Sequence, residues 1–452
     1  MEGEMRGFRR LAMLLALAGL IGATAAAPGG AETPPSDLVD ICEALYGDTF
    51  GTPNGEPLAE CQWDMALINA GAESYAKATG AGVTVGVIDG GVDTDHPDIA
   101  PNLDMDLSCS FIFDDTPTAD PSEIANGDCS NNAAVEDLFG HGTHVASSIA
   151  APLNGVGIAG VAPEATIVAL KACTVAGYCF LDSVAAALRY AGDIELDVVN
   201  LSLFADPYLY YCKSEAEQRA LLKEIEDAAK YARQRGVVIV ASAGNQAADL
   251  QHPGTDGISP DWPPGTAEER DVGNECRVAP AELPGVVTVS ATGPIGLAGY
   301  DLWIADYSSV GMSVVDVTAP GGDYFRATGT VQDAILGAVP ADGGLFANFD
   351  PLNAVFPGIT TIDGGGAYAY LNGTSMSSPH AAGVAALIVE QHPKWSPGSV
   401  EAALQRTAQE LPCPPDWTPL NEADERETCY GGAGKTSFFG HGLVDALTAA
   451  EE

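Results

Sequence analysis

The stretch NGTSMSSPHAAG, residues 372–383, sets Ser375 just after Gly373-Thr374 and ahead of an apolar run from Ala381 to Val389 that only Gly383 interrupts. A serine in this setting has two possible uses. It can cap a buried helix, because Ser favours helix starts while Ala, Val and Leu fill the interior. It can also act as a nucleophile at a helix N-terminus, where free backbone N–H groups and the helix dipole stabilise charge on a reacting oxygen.

Three other polar residues stand in comparable places. Asp89 directly follows the apolar run ending at Ile88 and precedes Gly90-Gly91 in VGVIDGGVDTDHPDI. His141 lies between two glycines in GHGTHVASSIAA, with His144 three residues on at the start of an apolar helix. That spacing could pair two metal ligands, but the HExxH pattern of zinc proteases is absent, so a general base is the better role for one histidine. Asn245 ends VVIVASAGN and can offer a side-chain amide donor. Taken singly, each is an ordinary turn, cap or loop residue.

Elements that would position these groups are readable from hydrophobic patterning. Val83–Ile88, Thr166–Lys171, Asp197–Leu203, Val237–Ala243 and Val286–Ala291 are β-branched, nearly continuous apolar runs. Such runs predict strands covered on both faces, as in a parallel sheet between two helical layers. Between two of them, residues 214–236 carry a helical stripe of Leu221, Leu222, Ile225, Ala228, Ala229 and Ala232, with Ser214 and Glu217 spaced as a capping box and Gly236 as the stop. The expected class is a doubly wound α/β fold whose sites gather beyond the carboxyl ends of the strands. Loops rich in Pro, Gly, Asp and Asn at 116–132, 251–272 and 341–366 read as surface insertions.

The chain begins with Arg6, Arg9 and Arg10, an apolar stretch from Leu11 to Ile21, and small residues at Ala23 and Ala25. This is the pattern of a secretory signal peptide over residues 1–25, with export and no membrane anchor as the expected fate, extracellular or periplasmic. About 425 residues remain, enough for a large core. The net charge of −43 comes with only 18 % charged residues, so it reflects scarce Lys and Arg. Such a surface repels nucleic acid and anionic membranes. Ten cysteines with no CxxC pair argue for disulfides over a zinc or redox centre. Pairing sequence neighbours would join Cys42 to Cys61, Cys109 to Cys129, Cys173 to Cys179 and Cys413 to Cys429, leaving Cys212 for Cys276; connectivity stays open at this level.

Read together, DGGVDTDHPDI, GHGTHVASSIA and NGTSMSSPHAAG stand in the order of the subtilisin-like serine proteases, and the chain resembles that subtilase family from about Gln62 to Ala446. The Asp-His-Ser order is a known subtilisin template. The resemblance implies Ser375 as nucleophile, His141 as general base and then acid, Asp89 as the residue orienting the imidazole, and Asn245 with the Ser375 N–H as oxyanion donors. His144 would then be structural. It also implies a cleft lined by Ser202, Leu203, Phe204, Ala243 and Gly244, and a structural calcium ion held by Asp98, Asn154 and the carbonyls of Val156 and Ile158.

Two departures stand out. The family's usual Ser-Leu-Gly-Gly is here Ser202-Leu203-Phe204-Ala205, which reshapes the pocket for the residue before the cut. The usual folded propeptide is not visible; residues 26–61 form only a short arm bearing Cys42 and Cys61, ahead of a catalytic domain over 62–450. The expectation is a secreted, monomeric serine endopeptidase acting on polypeptides, with no cofactor for the chemistry. The alternative is a catalytically quiet subtilase fold that binds polypeptide with Phe204 across the cleft, and transfer of the acyl group to an amine uses the same residues.

Overall fold

All five β-branched runs form strands of one sheet. A computed structural model describes residues 35–47, 54–294, 304–324, 328–341, 360–415, 417, 424, 426 and 428–452. The expected signal peptide, the first residues of the arm and most of the 341–366 insertion lie outside the described residues. The central sheet comprises β1 (Thr84–Asp89), β2 (Cys109–Ser110), β3 (Thr166–Lys171), β4 (Val198–Leu201), β5 (Val238–Ser242), β6 (Val287–Thr292) and β7 (Val317–Pro320). Their order is β7-β6-β5-β4-β1-β3-β2, with every pairing parallel. Strand order therefore reverses between β1 and β4, whose carboxyl ends carry Asp89 and Ser202. A crevice at such a switch point is where open α/β sheets place their sites.

Alternation along the strands assigns each face its own core. Val198, Ile167 and Ala169 join one cluster, while Val199, Val168 and Leu170 join the other. Helices α1 (Pro35–Cys42), α2 (Trp63–Leu67), α3 (His141–Ala150), α4 (Leu181–Asp193), α5 (Ala216–Gln234), α6 (Thr374–Gln391) and α7 (Pro397–Thr407) complete the layers. Helices α3 and α6 contribute Val145, Ile149, Val384 and Leu387 to the first cluster, and α4 and α5 contribute Val184, Leu188, Leu222 and Ile225 to the second. Helix α6 is buried on nearly all sides, which is why its sequence is apolar all round rather than striped. A Cβ on Gly383 would lie 2.6 Å from Val161 Cβ, so a larger residue there forces the two elements apart at a cost of about 1–3 kcal/mol.

Helix α5 starts later than the capping-box pattern predicts. Its N-cap is Glu215 and no side chain caps it, while Glu215 N–H turns back to Cys212 O at 3.1 Å. The Cys212–Cys276 disulfide and the pairing of Tyr210–Cys212 with Cys276–Val278 hold the backbone extended as far as Cys212. The stripe itself is as expected, with Leu222, Ile225, Ala228, Ala229 and Ala232 buried.

Cys42–Cys61, Cys109–Cys129, Cys173–Cys179, Cys212–Cys276 and Cys413–Cys429 are all joined. The first closes a loop within the short arm, and the arm meets the body through Leu58 N–H, which donates to Gly157 O at 2.8 Å, and through apolar packing. Leu38 and Cys42 of α1 pack with Leu58, Leu336, Ala338, Tyr368 and Tyr370. These belong in part to a small antiparallel sheet of β8 (Ile335–Val339), β9 (Thr361–Asp363) and β10 (Gly366–Leu371), with β10 in the middle. Tyr46 donates to Asp333 Oδ1 at 2.9 Å, and Trp63 Nε1 to the carbonyls of Gln332 and Ala334 at 3.1 Å. The arm is thus part of the folded body. No helix among the described residues is long and apolar enough to cross a membrane.

Candidate active site

Asp89 is the last residue of β1, and the chain must turn sharply there to admit helix α3. Gly91, at φ +94°, makes the turn, and a Cβ on it would lie 2.1 Å from Val135 O. Gly142 lets α3 approach equally closely, since a Cβ there would meet Gly91 O at 2.1 Å. The result is that His141 Nδ1 lies 2.9 and 3.0 Å from the two oxygens of Asp89. Asp89 is 2 % exposed and also accepts Gly90 N–H at 2.7 Å, so its carboxylate is fixed from two sides. A second carboxylate, Asp137, anchors the start of the His141 helix. Its Oδ1 accepts the N–H groups of Phe139 and Gly140, and its Oδ2 accepts the N–H and hydroxyl of Thr143 at 2.9 and 2.6 Å. Burial pulls the His141 imidazole toward the neutral form, but the charge and hydrogen bond of Asp89, with the charge of Asp137, leave its pKa above the ordinary imidazole value.

Ser375 sits in the first turn of α6, whose N-cap Gly373 makes no side-chain cap. The capping use of Ser375 is therefore not the one taken. Its Oγ donates to Ser202 O at 3.2 Å, and Ser202 Oγ donates back to Ser375 O at 2.8 Å. That carbonyl is free to accept because Pro379, four residues on, brings no N–H to the helical ladder. Asn200 Nδ2 holds Ser202 Oγ at 2.9 Å and its Oδ1 accepts Ser378 Oγ, so an Asn inside an apolar strand ties β4 to the Ser375 helix. Asp89 and Ser202 end adjacent strands, with Ile88 in register with Leu201. Neighbouring strands run about 4.8 Å apart, so His141 and Ser375 face one crevice. Among the described residues no Ser375 Oγ to His141 Nε2 hydrogen bond is made; catalytic bonds of this kind commonly tighten only with substrate bound.

Asn245 follows β5 on the far side of the crevice. Its Oδ1 accepts Thr374 N–H at 2.9 Å and Thr374 Oγ1 at 2.8 Å, which turns Nδ2 toward open space. A Cβ on Gly373 would lie 3.5 Å from Ser375 N and 3.6 Å from Asn245 Nδ2. Two donors thus border one small volume beside Ser375 Oγ, and a negatively charged oxygen there would be met by both. Gly244 N–H donates to Thr374 Oγ1 at 3.1 Å, so the same threonine fixes both sides of the loop. Neither Thr374, Asn200 nor Asp137 is singled out by sequence reasoning. The readable signals were an Asn in a buried strand and an Asp four residues before His141.

His144 has the structural position expected of it. It is fully buried, its Nε2 lies 3.1 and 3.2 Å from the carbonyls of Ile335 and Ala369, and burial drives its pKa down to about 3. Of the cleft residues, Ser202, Ala243 and Gly244 lie beside Ser375 and Asn245, whereas Leu203 packs against the sheet core and Phe204 against a satellite cluster. The 116–132 insertion is not wholly superficial: Glu123 is 1 % exposed and pairs at 2.9 Å with fully buried Lys171. Lys171 also donates to Gly90 O and Glu136 O, bracing the turn after Asp89 against the segment that leads into the His141 helix.

The four residues expected around calcium lie together. Asp98 is fully buried; its Oδ2 accepts Ile158 N–H at 3.1 Å and Tyr368 hydroxyl at 2.8 Å, and its Oδ1 accepts Asn154 Nδ2 at 3.1 Å. None of these partners is a cation. Burial, helped by the charge of Glu56, raises the Asp98 pKa to about 7. Asn154 Oδ1 accepts Val156 N–H at 2.8 Å, so the amide would have to turn over to offer its oxygen inward. As placed, Asp98 meets an N–H, an amide NH2 and a hydroxyl, so the buried carboxylate suits a hard cation only once the Asn154 amide is turned over and neighbouring carbonyl oxygens face it.

A family model described as the subtilase family matches residues 80–442. The chain is 29 % identical to Subtilisin Savinase of Lederbergia lenta over 387 residues, 86 % of this chain and 97 % of that protein. It is 31 % identical to a subtilisin of Bacillus sp. strain TA39 over 381 residues, covering 84 % of this chain and 72 % of the relative. A solved protease structure from Pseudoalteromonas arctica superposes with a TM-score of 0.56 at 25 % identity, covering 88 % of this chain and 99 % of the other. With that match, and with the site at the expected strand ends, the chain belongs to the subtilase family of serine-type endopeptidases.

Proposed function

We propose that this endopeptidase cleaves polypeptide chains by acyl transfer to Ser375. Substrate would place its scissile carbonyl carbon against Ser375 Oγ and its oxygen between Ser375 N–H and Asn245 Nδ2. As Oγ attacks, its proton passes to His141 Nε2, and Asp89 stabilises the imidazolium that forms. Collapse of the tetrahedral intermediate returns that proton to the leaving amine nitrogen and leaves the acyl group on Ser375. Water then repeats the cycle, giving its proton to His141 and releasing the carboxylic acid. The observation carrying this reading is the pair of donors bordering one volume beside Ser375, with His141 already aligned on Asp89. A fluorophosphonate probe tests it. An adduct on Ser375 that disappears in His141→Ala is the expected result, and folded protein that takes up no probe would refute it.

We also propose that the enzyme is exported, as the opening residues suggest, and that the arm stays on the mature chain in place of a removable propeptide. Support comes from the burial of Leu38, Cys42 and Tyr46 and from the hydrogen bonds of Tyr46 to Asp333 and of Leu58 N–H to Gly157 O, which reach past Gln62. N-terminal sequencing of secreted protein should find a start near Ala26, and a start near Gln62 would overturn the idea. Asp98, Asn154, Val156 and Ile158 would hold a calcium ion that stabilises the fold and takes no part in the chemistry.

A further inference from the structure

Once a substrate carbonyl occupies the volume between Ser375 N–H and Asn245 Nδ2, the side chain of that same residue must go somewhere. Two backbone stretches flank the point of attack. Ser202–Ala205 stands on one side, tied to Ser375 through both Ser202 hydrogen bonds. Ala243–Asn245 stands on the other, tied to Thr374 through Gly244 and Asn245. Ala205 N–H donates to Ala279 O at 2.8 Å, so the segment of Val278 and Ala279 borders the same space from a third direction.

Beyond the end of β4 the chain bends at Leu203, and the different clusters that Leu203 and Phe204 join decide what fills that space. Leu203 turns into the core beneath the sheet, packed with the cluster that contains Val199, Leu201 and Ala205. Phe204 faces the opposite way and packs, half-buried, on the satellite cluster that includes Ala248, Leu250 and Val278. Those three residues follow Ala243–Asn245 or precede Ala279, and so belong to the same bordering segments. The phenyl ring is therefore packed on the side of this stretch that faces the two bordering segments, the side toward which a large substrate side chain would extend.

We propose that Phe204 fills the pocket for the residue before the cleaved bond and restricts the enzyme to substrates with Gly, Ala or Ser there. This rests on the acyl-transfer reading above. The test compares otherwise identical fluorogenic peptides bearing Ala or Phe before the cleaved bond, with kcat/KM normalised to the Ser375 fluorophosphonate titre. Wild type should favour Ala by about 10-fold or more, since a filled apolar pocket discriminates by 10- to 200-fold per small group. Phe204→Ala should raise kcat/KM for the Phe peptide by about 10-fold and lower the ratio. Should Phe204→Ala fail to fold, the cleavage sites wild type makes in denatured casein decide the matter. Clustering after small residues supports the proposal, and clustering after Phe, Tyr or Leu overturns it. Wild type with a full titre and equal rates on both peptides also overturns it, whereas absent titre and absent cleavage would instead refute the acyl-transfer reading.

Discussion

Removing the Asn245 amide should cost turnover and leave binding alone. Among the described residues Nδ2 has no protein partner, while Oδ1 is held twice by Thr374, at 2.9 and 2.8 Å. The donor is thus aimed before substrate arrives and pays no reorganisation during the reaction, the condition under which a single oxyanion donor is worth about 10²–10³ in kcat, or about 2.7–4 kcal/mol. Asn245→Ala should therefore lower kcat by that factor with KM nearly unchanged, because the carbonyl oxygen gains its charge only in the transition state. Thr374→Val removes two neutral hydrogen bonds, one to Asn245 Oδ1 and one from Gly244 N–H. The first, worth about 0.5–1.5 kcal/mol, positions the amide, and its loss should lower kcat about 2- to 12-fold. Steady-state kinetics on a peptide substrate, normalised to titrated sites, read both. In the double variant the Thr374 effect should largely vanish, since no amide remains to position. A loss below about 3-fold for Asn245→Ala, a loss carried by KM, or a Thr374→Val effect undiminished in the double variant would refute the reasoning.

Further outcomes follow from the surrounding groups. His141 must be neutral to accept a proton, and its pKa lies above the ordinary 6.5, so kcat/KM should rise with pH through that raised value. Asp137→Asn withdraws one of the charges that raise it, and the acidic limb should move to lower pH; an unmoved limb in a folded variant would exclude the electrostatic role. Asp206 and Asp261 hydrogen-bond to each other and both pKa values are raised, chiefly by burial. Protons bind the folded state more tightly, so stability should be full below the unfolded carboxylate value, 3.8, and fall as pH climbs through the raised ones. Melting curves against pH should show that slope flattened in Asp261→Asn. Chelation should lower Tm, calcium but not magnesium should restore it, and Asp98→Asn should remove the response. Replacing Cys42 and Cys61 by Ser opens a loop closed across 19 positions and should cost about 3 kcal/mol in denaturant unfolding.

Much of the site was legible before any coordinates because its chemistry depends on residue types that must sit next to particular neighbours. Glycines at 91 and 142 are there for backbone approach, and they mark Asp89 and His141 as surely as the reactive groups do. The strands were legible because burial on both faces demands near-continuous apolar residues. Less visible were groups whose roles depend on partners far along the chain: Asn200 on Ser378, Thr374 on Asn245, and Lys171 on Glu123 of an insertion that reads as surface. The capping box at Ser214 and Glu217 went unrealised: the strand pairing and disulfide end at Cys212, Lys213 and Ser214 turn, and the helix starts one residue later than the pattern asks.

By itself, then, the sequence determined the doubly wound fold class, because burial on both faces demands near-continuous apolar strands. Through its family resemblance it pointed to Asp89, His141, Asn245 and Ser375, while the disulfide connectivity stayed open. Only the tertiary structure decided how the crevice is furnished. Leu203 and Phe204 are parted between the sheet core and a satellite cluster containing Ala248, Leu250 and Val278 only when the chain folds, and Thr374 becomes an anchor only when Asn245 after β5 and the start of α6 meet. Contacts between residues tens to hundreds of positions apart leave no periodic trace in the chain, because hydrophobic patterning reports burial and not the identity of the neighbour.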